Sequence, residues 1–144
     1  MVTQLKGKTI LVSGGAGFLG SHLLKLLEKE NPKKILVPRS KEADFRKLSE
    51  CKKFISQADI VIHLAANVGG IGYNLEHPAE LFYDNLMMGV QLMHEAYKAG
   101  VEKFIALGTI CAYPKYTPVP FKESDLWIGY PEETNAPYGL AKKM

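Results

Sequence analysis

Tyr138 and Lys142 stand four residues apart, directly behind Pro137. With Pro137 opening a helix, that spacing stacks both side chains on one face, so that the ammonium lies near the phenol and lowers its pKa. A tyrosine tuned in this way passes a proton to or from a substrate oxygen near neutral pH. Thr109 stands just past the apolar run Phe104 to Leu107. At the carboxyl end of a strand, where α/β sheets place their ligands, its hydroxyl can hydrogen-bond the same oxygen. A tyrosine and a lysine at this spacing also occur by chance. What lifts the pair above chance is its place behind Thr109, together with a second constellation near the start of the chain.

That constellation is Ser13-Gly14-Gly15-Ala16-Gly17-Phe18-Leu19-Gly20. Gly14 suits the tight turn after a strand, Gly17 lets backbone approach a pyrophosphate, and Gly20 lets a helix pack close to the strand. The first-turn N–H groups of that helix would then face the phosphates, with the positive end of the helix dipole behind them. Glycines alone are a weak signal; their place between an apolar strand and a leucine-rich helix makes it specific. About twenty residues on, where an NAD site usually presents an acid to the ribose hydroxyls, the chain has Arg39 and Ser40. A guanidinium beside a hydroxyl fits a ribose 2′-phosphate through charge-assisted hydrogen bonds. NADP(H) is therefore the expected cofactor and NAD the alternative, while a plain solvated arginine at a strand end is the reading to beat.

The elements that must hold these residues follow from periodicity. Thr9 to Ser13 reads as a strand, and Leu23, Leu24, Leu26 and Leu27 as a helix stopped at Asn31 and Pro32. Lys34 to Val37 is a second strand and Glu50 to Ser56 a short helix. Ile60 to Leu64, apolar on both faces, is a central parallel strand. Pro78 to Lys98 is a long helix ended by Gly100, and Phe104 to Leu107 a fourth strand. Such alternation predicts an α/β fold, a Rossmann-type doubly wound parallel sheet. Pro114 to Pro137 shows no periodicity and reads as one long functional loop.

Composition excludes several classes. With 47% hydrophobic and 23% charged residues the chain is globular, and its net charge of +3 is scattered, leaving no nucleic-acid footprint. No apolar run reaches membrane-spanning length, and glycines interrupt the one near the start that mimics a signal peptide. Cys51 and Cys111 form neither a metal pair nor a disulfide framework, so a reducing cytoplasm is the expected compartment. His22, His77 and His94 lack metal-like companions and no metal is expected. His63, on an apolar strand, reads as a core or near-cofactor histidine. Met87, Met88 and Met93 read as helix packing.

The chain resembles the extended short-chain dehydrogenase/reductase family, the NAD-dependent epimerases and dehydratases. It is most similar to the branch that epimerises and reduces GDP-4-keto-6-deoxymannose. The resemblance runs from Lys8 to the last residue. It rests on Gly14, Gly17 and Gly20, on Ala65-Ala66-Asn67-Val68-Gly69-Gly70-Ile71, on Asp84-Asn85-Leu86-Met87, on Cys111 with Tyr113-Pro114, and on Thr134-Asn135 before Pro137-Tyr138 and Lys142. It implies Thr109 in the catalytic Ser/Thr position and Tyr138 as the acid-base group. Lys142 would hold the nicotinamide ribose, and Cys111 would serve the epimerisation steps. Judged without the family, Cys111 is more often a small buried hydrophobe. Cofactor contacts would extend over Phe18, Leu19, Leu64, Ala65 and Ala66.

The resemblance further implies a nucleotide-sugar substrate and a homodimer. Residues 1–144 would be the NADP-binding portion, cut in the first turn of the active-site helix, before the later strands and the substrate domain. So short a helix is not expected to hold its register, and this stretch alone is expected to be catalytically silent. Branch members carry two serines where this chain has Thr109 and Ile110, and a lysine at Asn67. Ile110 and Cys111 also stand where a 4,6-dehydratase wants an Asp-Glu pair, which argues against dehydration. Another NAD(P)-dependent nucleotide-sugar 4-epimerase or reductase and a non-catalytic NADP-binding module are the remaining alternatives.

Overall fold

The computed structural model describes residues 4–144, which divide into two compact units. The first runs to Ala65 and resumes over Met88–Leu107; the second comprises Ala66–Met87 and Gly108–Met144.

In the first unit, β1 (Thr9–Ser13) is buried throughout and pairs with β2 (Lys34–Leu36) on one side and β3 (Ile60–His63) on the other. β4 (Lys103–Ala106) pairs with β3, giving a four-stranded parallel sheet in the order β2-β1-β3-β4. Successive strand residues point to opposite faces, and the core divides accordingly. Ile10, Val12, Ile60 and Ile62 meet Leu27 of α1 (Phe18–Leu27). Leu11 and Val61 meet Cys51 and Ile55 of α2 (Leu48–Ile55), and Leu92 and Ala96 of α4 (Pro78–Lys98). Helices therefore cover both faces, as the alternating pattern predicts. α1 runs on into a 3-10 turn over Glu28–Glu30, closed by Asn31 at φ 52°. β2, β3 and β4 each end one residue earlier than their apolar runs.

The second unit holds α3 (Ile71–Glu76), the first half of α4, 3-10 turns at Ile110–Ala112 and Glu123–Trp127, and α5 (Ala136–Lys143). Its interior contains Asn74, Leu81, Asn85, Ala112, Pro131, Ala136 and Ala141. Several expectations need correcting. The stretch from Pro114 is not one long loop, since Glu123–Trp127 forms a helical turn and α5 starts at Ala136, one residue before Pro137. α3 has no periodic signal because it is short and mostly exposed. α5 is a formed helix despite its length, because it packs against the Ile110–Ala112 turn. Met93 is exposed, whereas Met88 packs on the core.

Candidate active site

Ser13 ends β1 with no exposed surface, and the chain turns at Gly14, whose φ is +74°. A Cβ there would lie 2.6 Å from the Ala65 amide nitrogen, and one at Gly20 would lie 2.5 Å from the Gly14 carbonyl oxygen. Both glycines are required by close backbone approach. Gly17 caps α1 with no side-chain hydrogen bond, and the first turn carries no acidic residue. The positive helix end is thus left without an anion of its own, and Phe18 and Leu19 on it are exposed. These residues fit the pyrophosphate of a dinucleotide.

Ser13 also ties down the end of β3. Its Oγ lies 2.6 Å from His63 Nδ1 and accepts from the Ala65 N–H at 3.4 Å, while its carbonyl accepts from the Leu64 N–H at 2.9 Å. His63 is therefore a hydrogen-bonded core residue, 2% exposed. Leu64 and Ala65 are half-buried beside the turn. Arg39 and Ser40 are exposed just after β2, where the Arg39 carbonyl accepts from Glu42 and Ala43 N–H groups at 2.8 and 2.9 Å and fixes the bend. Their placement fits a 2′-phosphate.

Thr109, Cys111, Tyr138 and Lys142 belong to the second unit, as does half-buried Ala66. Thr109 caps the 3-10 turn, its Oγ1 accepting from the Cys111 N–H at 3.2 Å. α5 seats on that turn at Gly139, where a Cβ would fall 2.1 Å from the Cys111 carbonyl oxygen. The residue after Tyr138 thus brings Tyr138 to Thr109 and Cys111. Burial raises the Tyr138 pKa above its ordinary 10.0; hydrogen bonding with Thr109 opposes the shift, and Cys111 adds to it. Burial alone lowers that of Lys142. The expectation that Lys142 lowers the phenol's pKa is thus not met: in the protein alone, desolvation sets both directions. The phenol stays protonated at neutral pH, the state of a proton donor. Cys111 is half-buried with a free thiol, whereas Cys51 is fully buried, donates to the Phe45 carbonyl at 3.2 Å and is pushed up to about 11.

One polar cluster was not legible as a site. Asn85, 3% exposed on α4, grips the Asn67 peptide from both sides: its Nδ2 donates to the Asn67 carbonyl at 2.7 Å and its Oδ1 accepts from the Asn67 N–H at 3.0 Å. The Asn67 side chain donates to Asp84 at 3.0 Å and accepts from the Tyr73 hydroxyl at 3.3 Å. An asparagine flanked by Leu81 and Leu86 on an apolar helix face was the available signal. Among the described residues no group of His, Cys, Asp and Glu side chains could hold a metal, and no helix is long and apolar enough to cross a membrane.

Comparison with known proteins places this geometry. A GDP-L-fucose synthase of Sinorhizobium fredii is 39% identical over 140 residues, covering 96% of this chain and 44% of that protein. A GDP-L-fucose synthetase of Naegleria fowleri bound to NADP superposes with a TM-score of 0.83 at 31% identity, covering 100% of this chain and 43% of that one. A GDP-mannoheptose C4 reductase of Campylobacter jejuni with NADP bound superposes at 0.89 and 25% identity, covering 97% and 45%. The chain spans less than half the length of each of these relatives. Residues 10–144 match the profile of the NAD dependent epimerase/dehydratase family, and the chain belongs to that family.

Proposed function

We propose that the protein is an NADP(H)-dependent epimerase-reductase of a GDP-linked 4-keto-6-deoxy sugar, of the kind that yields GDP-L-fucose. The observation that carries the reading is the seating of α5 on the Ile110–Ala112 turn through Gly139, which groups Tyr138 with Thr109 and Cys111. The relatives named for GDP-L-fucose synthesis support the substrate, and those with NADP bound support the cofactor. Gly14, Gly17 and Gly20 with Phe18 and Leu19 would hold the pyrophosphate, Arg39 and Ser40 the 2′-phosphate, and Leu64, Ala65 and Ala66 the remaining cofactor surface. When bound, NADPH supplies the hydride for the sugar's C4.

Thr109 hydrogen-bonds the C4 oxygen, and Tyr138 gives that oxygen its proton; burial keeps the phenol protonated for this role. Lys142 holds the nicotinamide ribose. Cys111 moves protons at the ring carbons adjacent to the ketone, whose acidity makes epimerisation possible. The same reading makes the protein a cytoplasmic homodimer with reduced cysteines.

A C4 reduction without epimerisation is the second reading, favoured by the likeness to a GDP-mannoheptose C4 reductase. The test is NADPH oxidation with GDP-4-keto-6-deoxymannose, with the ring configuration of the product read by NMR. Wild type is expected to deliver inverted and reduced sugar, and Cys111→Ser to stop solvent deuterium entering the ring. Reduction without inversion selects the second reading, and no oxidation by a full-length protein that carries residues 1–144 overturns both. Arg39→Ala is expected to weaken NADPH about tenfold or more relative to NADH, the loss of one charge-assisted contact.

A further inference from the structure

An ionised carboxylate accepts hydrogen bonds and never donates one, whereas an amide side chain does both. Just ahead of α5, four donors converge on Glu132. Its Oε1 accepts from the Thr134 N–H at 3.1 Å. Its Oε2 accepts from the Thr134 hydroxyl at 2.6 Å, the Asn135 N–H at 3.2 Å and the Asn135 Nδ2 at 2.8 Å. Because the carboxylate cannot donate, Asn135 must turn its NH2 toward Glu132. Its Oδ1 then faces the other way, where it accepts from Asn74 Nδ2 at 3.0 Å. Asn74 lies on α3 and is 3% exposed. With its NH2 committed to Asn135, it presents Oδ1 to the Gly69 N–H at 3.4 Å. One acceptor-only group thus dictates the orientation of two amides in succession, and a buried amide with no choice of orientation is a rigid strut.

The strut joins two places. One is the N-cap of α5, since the Asn135 carbonyl accepts from the Gly139 N–H at 2.8 Å and opens the helix that carries Tyr138. The other is the Gly69-Gly70 segment that opens α3, where the Gly70 carbonyl accepts from the Asn74 N–H at 3.0 Å. The converging donors, the Thr134 hydroxyl foremost, also hold the Glu132 carboxyl down at about 2, so it is ionised at neutral pH. Glu133 and Lys115, both of which feel the Glu132 charge, pair with each other at 2.8 Å.

We propose that Glu132 is a positioning residue: its carboxylate sets the direction of hydrogen bonding through Asn135 and Asn74 to the Gly69 N–H and so fixes the start of α5 against the segment that opens α3. Its effect on turnover rests on the reading of Tyr138 as proton donor; the direction of the strut does not.

The test exchanges donor and acceptor in the full chain. Asn135→Asp sets two carboxylates side by side, and Glu132→Gln removes the acceptor-only end. In the double variant the new glutamine NH2 can donate to the new aspartate, whose other oxygen still accepts from Asn74. Hydrogen exchange of the Gly69 amide, followed by NMR, is expected to quicken about tenfold in each single variant, the loss of one hydrogen bond, and to return toward the native rate in the double. In the unmutated protein the side-chain NH2 groups of Asn74 and Asn135 are expected to exchange slowly. Fast exchange there overturns the proposal even if the variants do not fold, and so does a double variant no better than Asn135→Asp. In the active enzyme kcat should fall about tenfold or more in the single variants with KM for NADPH nearly unchanged, and recover in the double. An unmoved kcat overturns the positioning role. Absence of any activity in a full-length protein that carries residues 1–144 sinks the functional reading instead, and leaves the exchange measurements to decide the strut.

Discussion

Tyr138 is kept neutral by its surroundings. Its folded pKa lies above the ordinary 10.0, with burial the largest cause. A raised folded pKa contributes stability that is fully present below the unfolded value and lost as pH rises through the folded one. Unfolding midpoints in urea are therefore expected to drop more in wild type than in Tyr138→Phe as pH rises above about 10. Equal drops would mean that the phenol is solvated. Lys142 shifts the opposite way, lowered by burial, so its neutral form is the one the fold favours.

At the scale of elements, α5 is held by contact rather than by its own propensity. Eight residues are too few for a helix to persist alone. Ala136, Gly139 and Ala141 are buried along it, and small side chains let the helix backbone come down on the Cys111 carbonyl. Gly139→Ala places a methyl group 2.1 Å from that oxygen, so helix and turn must part. The expected cost is about 3 kcal/mol of stability by chemical denaturation, with faster amide exchange confined to α5 and the Ile110–Ala112 turn. A variant as stable as wild type would show that the seat is loose.

For the molecule as a whole, the sheet of the described residues leaves β4 paired on one side only; its residues are largely exposed, Ile105 at 44% among them, and Leu107 just beyond it is 45% exposed. An apolar strand edge of this kind recruits other strands. For residues 1–144 taken alone, Ile105→Lys is expected to raise the concentration at which they stay monodisperse in sedimentation, without altering the register of the inner strands. Unchanged self-association would place the sticky surface elsewhere, for which the exposed Trp127, Ile128 and Tyr130 are available.

The sequence by itself determined the strand-turn-helix at Thr9 to Leu27, the parallel sheet and the span of α4, and it put forward Thr109, Cys111, Tyr138 and Lys142 as candidates, which fall in one unit. These rest on local periodicity and on residue types that tolerate few substitutes, such as Gly14 at a positive φ. Tertiary structure alone decided what burial and side-chain orientation control. It turned the pKa of Tyr138 upward, made His63 a core partner of Ser13, and formed α5 where local propensity is insufficient. It also linked Glu132 to Gly69 through two asparagines that lie 61 positions apart in sequence. Hydrogen-bond direction and desolvation depend on neighbours in space, and no spacing along the chain encodes them.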